Sequence, residues 1–190
     1  MPTPSVTVRD YQPADEPSWL RCRALSFLGS AYFDDVKPRR TRENQIELVA
    51  VLRAASAGAD DVVGILDVEI DGDLATIDTL AVHPDHQGLG IASALLEEAL
   101  RCLPQAVTTL DAWTRDDEPA LAWYRSRGFE ESDHYLHVYK TSDTPDEGWS
   151  APEGLSAPVL AFAHGSIEDE AAMRERFERV HVCRRFARSI

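Results

Sequence analysis

The sequence predicts a mixed α/β domain built on a largely antiparallel sheet, and two observations carry that prediction. Residues 62–70 and 74–82 are runs rich in β-branched side chains, joined by the hairpin signal Asp71-Gly72-Asp73. Consecutive strands in the middle of the chain therefore pair directly and not through crossover helices. Directly after the second run, a polar break at His83-Pro84-Asp85-His86 leads to Gln87-Gly88-Leu89-Gly90. Helical spacing of Ala92, Leu95, Leu96, Ala99 and Leu103 follows.

The other elements follow in chain order. Residues 6–9 alternate and read as a first strand. Asp15 followed by Pro17 marks a helix start, a cap and then a proline in the first turn. Trp19, Cys22, Leu25 and Leu28 recur every three residues as the apolar face of that helix. Residues 30–42, polar and holding Pro38, read as a loop or short helix. Residues 46–52 read as a strand, because 56–60 is a turn-rich break into the next one.

The helix after the glycine turn runs from near Gly88 to Leu103, and residues 107–112 form a strand. Residues 118–127 form a helix closed by Gly128 as a left-handed cap. Residues 129–131 and 135–140 read as a final strand pair. Residues 141–158, rich in Pro, Gly, Ser and Asp, read as a linker, and 159–162 as a candidate strand. Ser166, with Asp169 three residues on, opens a helix to about Ala187. Its stripe is Phe177, Val180, Cys183 and Ala187, and Arg179, Arg184, Arg185 and Arg188 suit the negative end of its dipole. The chain is thus expected to divide into a domain at 1–140 and an extension at 141–190.

Composition narrows the function. The 190 residues, 44% of them hydrophobic, suffice for one sizeable core. A formal net charge of −14 opposes nucleic acid and anionic membranes, and favours cationic partners such as amines. It also serves solubility. No apolar run reaches the ~18–20 residues of a membrane helix, and residues 1–10 lack the basic and apolar regions of a secretory signal. Cys22, Cys102 and Cys183 are odd in number, widely spaced and form no CxxC pair. A reduced, cytoplasmic setting with small buried cysteines is expected.

The segment from Gln87 to Ser93 carries the chemistry. The first turn of a helix offers backbone N–H groups and a partial positive charge, and small residues let an anion approach them. A phosphate or pyrophosphate is the natural guest. Tight packing is the structural alternative for the same glycines.

This segment resembles the GCN5-related N-acetyltransferase (GNAT) family. Gln87-x-x-Gly90-x-Ala92 matches its Gln/Arg-x-x-Gly-x-Gly/Ala motif, in the context Leu80-Ala81-Val82, then His83-Pro84-Asp85. Ala120-x-x-x-Tyr124 and Gly128-Phe129 match its later Ala-x-x-x-Tyr…Gly-Phe segment, and the order of elements from Val6 to Lys140 is similar. The resemblance implies the acyl-CoA N-acyltransferase fold, a twisted, mostly antiparallel sheet opened at its centre with helices on both faces. It implies acetyl-CoA as cosubstrate, with no metal. Backbone N–H groups of Gly88, Leu89, Gly90, Ile91, Ala92 and Ser93, beside Gln87, would hold the pyrophosphate. The backbone of Leu80, Ala81 and Val82 would pair with the pantetheine amides. A bulge in that strand would open the cleft, and an N–H at the strand end would face the thioester oxygen.

The implied general acid is Tyr124, with a core aromatic as the structural alternative. The candidate base is Asp78 through water, where the family usually has Glu; Glu69 is a lesser candidate. Asp78 and Leu80 share a face if no bulge intervenes. Asp117 stands where the family usually has a cofactor-contacting Asn, and an ionised carboxylate cannot donate.

Other readings are weighed beside this one. Gly88-x-Gly90 with Asp111 downstream could belong to a dinucleotide fold, against which stand the five-residue gap after the strand and the hairpin before it. His83-x-x-His86 could bind a metal but lacks partner ligands. His134 and His137 are expected at the surface or the substrate cleft, and Trp113, Trp123 and Tyr135 in the core or cleft wall. A domain that binds acyl-CoA without turnover, or serves assembly, is the alternative function. The tail helix could dock on its own domain or across a homodimer. Nothing in the sequence identifies the amine.

Overall fold

The central hairpin forms as the turn signal predicts. The structure is a computed structural model and describes residues 6–40, 45–52 and 61–190. Strands β3 (Asp61–Asp71) and β4 (Leu74–Val82) pair antiparallel, joined by Gly72 and Asp73. Gly72 has φ +63°, the left-handed value a two-residue hairpin asks of its first position. Strand β2 (Ile46–Leu52) pairs antiparallel with β3, and β1 (Val6–Asp10) antiparallel with β2. Strand β5 (Thr109–Thr114) runs parallel to β4. Its start falls two residues later than expected. The turn-rich break at 56–60 lies outside the described residues.

The chain forms two compact units, Met1–Ala112 with Ala187–Ile190, and Trp113–Phe186. In the first, α1 (Glu16–Leu28) and α2 (Ile91–Cys102) cover opposite faces of the sheet. Ile65 packs with Trp19 and Cys22 of α1, while its neighbour Gly64 meets Ile91 and Leu95 of α2.

Three expectations for this unit need correction. Asp15 makes no cap bond to α1; its carboxylate accepts from the Gln12 N–H at 2.8 Å and from Arg9 at 2.7 and 2.9 Å. The apolar face of α1 is shorter than the three-residue spacing suggested: Trp19 and Cys22 are buried, but Leu25 is 40% and Leu28 66% exposed. Each three-residue step lags the 3.6-residue turn by about 60°, so Leu28 faces roughly opposite Trp19. Arg23 is buried in their place, paired with Asp35 at 2.6 Å. Cys102 is exposed, unlike the buried Cys22 and Cys183.

In the second unit, α3 (Glu118–Ser126) precedes β6 (Glu130–Lys140), one continuous strand where two were expected. Strand β7 (Ala161–Gly165) pairs antiparallel with β6, and β8 (Arg179–Ser189) borders β6 on its other side. The helix expected over 166–187 is therefore corrected: it is confined to a 3-10 turn (Ile167–Asp169) and the short α4 (Glu170–Arg176). Val180 and Val182 alternate into a core with Leu136, Val138 and Phe177. Valines at period two satisfy a strand, and the three-residue stripe that suggested a helix was coincidental. Residues 141–190 thus supply β7, α4 and β8. The segment read as a linker is tied down where the buried Lys140 ammonium donates to Thr144 O at 3.1 Å and pairs with Asp146 at 3.0 Å.

Candidate active site

In the first unit, β4 changes partners where the sequence placed its candidate base. Against β3 the register runs Asp67↔Thr79 and then Val68↔Ile77, which leaves Asp78 as the extra residue of a bulge. The β4–β5 ladder ends at Ile77↔Ala112, while β4 continues along β3 to Val82. A bulge is the condition under which the sequence reading withheld a shared face, so alternation from Leu80 does not fix the direction of Asp78. Asp78 is exposed and accepts from Thr79 Oγ1 at 3.2 Å.

The turn that follows is built for close backbone approach. Gln87 Nε2 donates to Val82 O at 3.2 Å, folding the loop back on the strand end. His83 Nδ1 accepts from the Asp85 N–H at 3.2 Å, which gives the paired histidines a turn-forming role. Gly88 has φ +74° and Gly90 +80°. A Cβ at either would meet no atom within 4 Å, so conformation, not crowding, calls for glycine there. Leu89 between them is 68% exposed. Gly90 is the N-cap of α2, and the helix ladder opens with Ala94 N–H to Gly90 O at 3.0 Å. The N–H groups of Ile91, Ala92 and Ser93 precede that first bond, and no acidic side chain stands in the first turn. Open space, positive φ and a helix start suit an anion.

In the second unit, the Gly-Phe pair anchors Tyr124. Gly128, with φ +79°, donates to Arg125 O and Phe129 N–H to Tyr124 O, both at 3.1 Å. This pairing is a Schellman motif, and its hydrophobic contact is Phe129 on Tyr124, ring centroids 5.3 Å apart. Phe186 stacks on Tyr124 at 5.6 Å and 18°. The tyrosine is 7% exposed. Asp117 is the N-cap of α3 but makes no side-chain cap bond.

Residues 46–131 match the acetyltransferase (GNAT) domain family. That range is a GNAT-type domain. It is 34% identical over 97 residues to the mycothiol acetyltransferase of Nocardioides sp. (strain ATCC BAA-499 / JS614), covering 50% of this chain and 32% of that protein. The chain thus spans about a third of the length of the curated relative it matches. Its fold is similar to that of the ribosomal-protein-S18-alanine N-acetyltransferase from Escherichia coli (18% identity, 98% of this chain and 94% of that one, TM-score 0.58). It is also similar to Arabidopsis thaliana NAA60 in complex with acetyl-CoA (15% identity, 98% and 100% covered, TM-score 0.59).

Two features escaped the sequence reading. Asp67, 3% exposed on β3, faces Glu47 on β2 and Thr79 on β4. Arg40 pairs with Glu47 at 2.6 Å and Asp67 at 3.3 Å, its guanidinium 3.9 Å from the Tyr11 ring centroid. Burial pushes the Asp67 carboxyl up to about 7, while Arg40 opposes the rise. The available signal was an acid directly after the apolar run of residues 62–66 in β3. The second is Arg115, 8% exposed, whose Nε donates to His137 Nδ1 at 3.1 Å. Of the two histidines expected at the surface or cleft, His137 is buried and His134 is exposed. Glu69 is exposed on β3. Asp111 is buried and accepts from Thr76 Oγ1 at 2.6 Å, a core role. Among the described residues no group of His, Cys, Asp and Glu could hold a metal ion, and no helix is long and apolar enough to cross a membrane.

Proposed function

We propose that the protein is an acetyl-CoA-dependent N-acetyltransferase that acetylates a primary amine by direct attack in a ternary complex. One observation carries the reading: β4 outruns its β5 ladder by five residues, Asp78 to Val82, and leads into a left-handed glycine turn that opens α2 without a capping side chain. These residues fall within the matched GNAT range. In this reading the backbone of Leu80, Ala81 and Val82 pairs with pantetheine amides, as an added strand would. The turn from Gln87 to Ser93 receives the pyrophosphate, and Asp117 stands near the cofactor. Residues 1–140 form the transferase domain, completed by the extension at 141–190.

Acetyl-CoA supplies the acetyl thioester. The amine nitrogen forms the new bond to the acetyl carbon as the carbon–sulfur bond breaks. The ammonium first gives up a proton to Asp78 through water, the neutral nitrogen attacks and then loses its second proton to water, and Tyr124 gives its phenolic proton to the departing thiolate. The cationic amine suits a chain of net charge −14, and the setting is cytoplasmic.

A second reading has its own support. The Tyr124 ring is enclosed by Phe129 and Phe186, as a structural aromatic would be. A domain that binds acyl-CoA without turnover, or serves assembly as a homodimer, fits that packing. Thiol release from acetyl-CoA over a broad amine panel separates the two. Release with any amine supports the transferase, and tight CoA binding with no release across the panel supports the second reading.

A further inference from the structure

Two carboxylates of the first unit meet at the β4 bulge, and the proposed chemistry uses one of them. Asp67 and Thr79 stand directly opposite in the β3–β4 ladder, both buried. Their side chains share the face on which Ile65 and Ala81 pack with Trp19 of α1. Asp78, the extra residue beside Thr79, is exposed, and the Thr79 hydroxyl donates to its carboxylate at 3.2 Å. A bulge re-aims a strand side chain. Here it places an exposed acid one residue from the partner of a buried acid.

One cation serves two carboxylates behind this point. Arg40 gives its fork to Glu47, with Nη2 at 2.6 Å and Nη1 at 3.2 Å, and reaches Asp67 through the same Nη2 at 3.3 Å. The guanidinium lies 3.9 Å from the Tyr11 ring centroid and 5.1 Å from that of Trp19, and the Arg40 N–H donates to Glu16 of α1 at 3.0 Å. These contacts hold it toward Glu47. Of the two acids, Asp67 is the more buried. Burial pushes its carboxyl up to about 7 against the pull of Arg40; the charges of Glu47 and Asp78 add to the rise, and Lys37 opposes it.

Repulsion between two acids is mutual. Such a pair takes its first proton readily and its second reluctantly. We propose that Asp67 and Asp78 act as one proton-accepting pair, in which Asp67 is a positioning residue whose negative charge draws the ammonium proton of the acceptor onto Asp78. The N–H bond of the ammonium breaks, its proton passes over water to the Asp78 carboxylate, and the electron pair stays on nitrogen for the attack. Asp78, being exposed, returns the proton to bulk water after each turnover. The pair is empty when Asp67 is ionised, so turnover rises with its ionisation. This rests on the transferase reading for the turnover, not for the coupling of the two acids.

The test uses the full chain. Carboxyl carbon-13 spectra of aspartate-labelled protein, without acetyl-CoA, follow the Asp67 titration in wild type and in Asp78→Asn. Removing the Asp78 charge should move the Asp67 midpoint to lower pH, and an unmoved midpoint overturns the pair. Asp78 is exposed, so this variant reads the coupling even where Asp67→Asn does not fold. Thiol release at saturating amine is then compared between wild type and Asp67→Asn, which cancels the amine's own titration. The ratio of wild-type to variant turnover should rise about tenfold from pH 6 to pH 8, the span of a single ionisation centred near 7. A purely structural role for Asp67 scales turnover without changing its pH profile, so a constant ratio also overturns the proposal. No thiol release from any amine at any pH sinks the transferase reading alone, and the spectra then decide whether the two acids are coupled.

Discussion

Gly64 on β3 and Ile91 at the start of α2 approach so closely that a Cβ on Gly64 would lie 2.6 Å from Ile91 Cγ2. Gly64 is also paired with Val82, the last residue of β4. The missing side chain lets the first turn of α2 settle against the sheet beside the strand end that leads into the glycine turn. Gly64→Ala forces α2 outward, at a cost of about 1–3 kcal/mol. The melting temperature should fall by roughly 2–4 °C for each of those kcal/mol. CoA affinity should fall with it. A variant that melts with the wild type refutes the close-packing role.

Gly90 calls for a different substitution. A Cβ at Gly90 meets no atom within 4 Å, so the cost of Gly90→Val is that it must hold a β-branched residue at φ +80°. Strain of about 1–2 kcal/mol is expected, together with weaker CoA binding by calorimetric titration. Wild-type CoA affinity in this variant would remove the phosphate site from the turn.

Tyr124→Phe keeps the ring between Phe129 and Phe186 and removes only the hydroxyl. Turnover should fall about 100-fold or more, with CoA affinity and melting temperature near those of wild type. An unchanged kcat leaves Tyr124 as a core aromatic. Gly128→Ala, which strains the Schellman turn by roughly 1 kcal/mol, should also lower kcat, because Phe129 holds the tyrosine through that turn.

Asp67 sets a pH dependence. Its folded-state value is raised from 3.8 to about 7, so the native protein holds the proton more tightly than the unfolded chain. The resulting stability is complete below 3.8 and is lost as pH rises through about 7. In thermal melts at pH 4 to 7, the Asp67→Asn variant should therefore gain on the wild type as pH rises, with Arg40 still paired to Glu47. A constant difference would show that Asp67 ionises like an exposed acid.

His137 has the opposite sign. Its value is lowered from 6.5 to about 4, so its contribution is full above 6.5 and is lost as pH falls through about 4. Nitrogen-15 spectra at pH 6 should show a neutral ring with the proton on Nε2. An imidazolium, or a proton on Nδ1, would contradict the Arg115 bond.

The parts of the fold that were legible in the sequence rest on local chemistry. Asp71-Gly72-Asp73 makes its hairpin, Gly88 and Gly90 adopt positive φ, and Gly128 ends α3, because each needs only the backbone freedom of glycine among near neighbours in the chain. The periodicity of Leu95, Leu96 and Ala99 predicted α2 for the same reason. The 179–189 segment was misread, because a three-residue stripe and a two-residue alternation share Val180, and the choice falls to the strand β6 beside it.

The tertiary structure alone decided the rest. Whether Asp78 is a regular strand residue or the extra residue of a bulge depends on the register against β3. Whether Asp67 is an exposed acid or a buried one held by Arg40 depends on a loop 27 residues earlier in the chain. His137 becomes a support for Arg115 only because α3 and the turns around it lie between those residues in sequence but not in space. Backbone conformation is set by neighbours in sequence, whereas burial, charge pairing and register are set by neighbours in space, which no local pattern encodes.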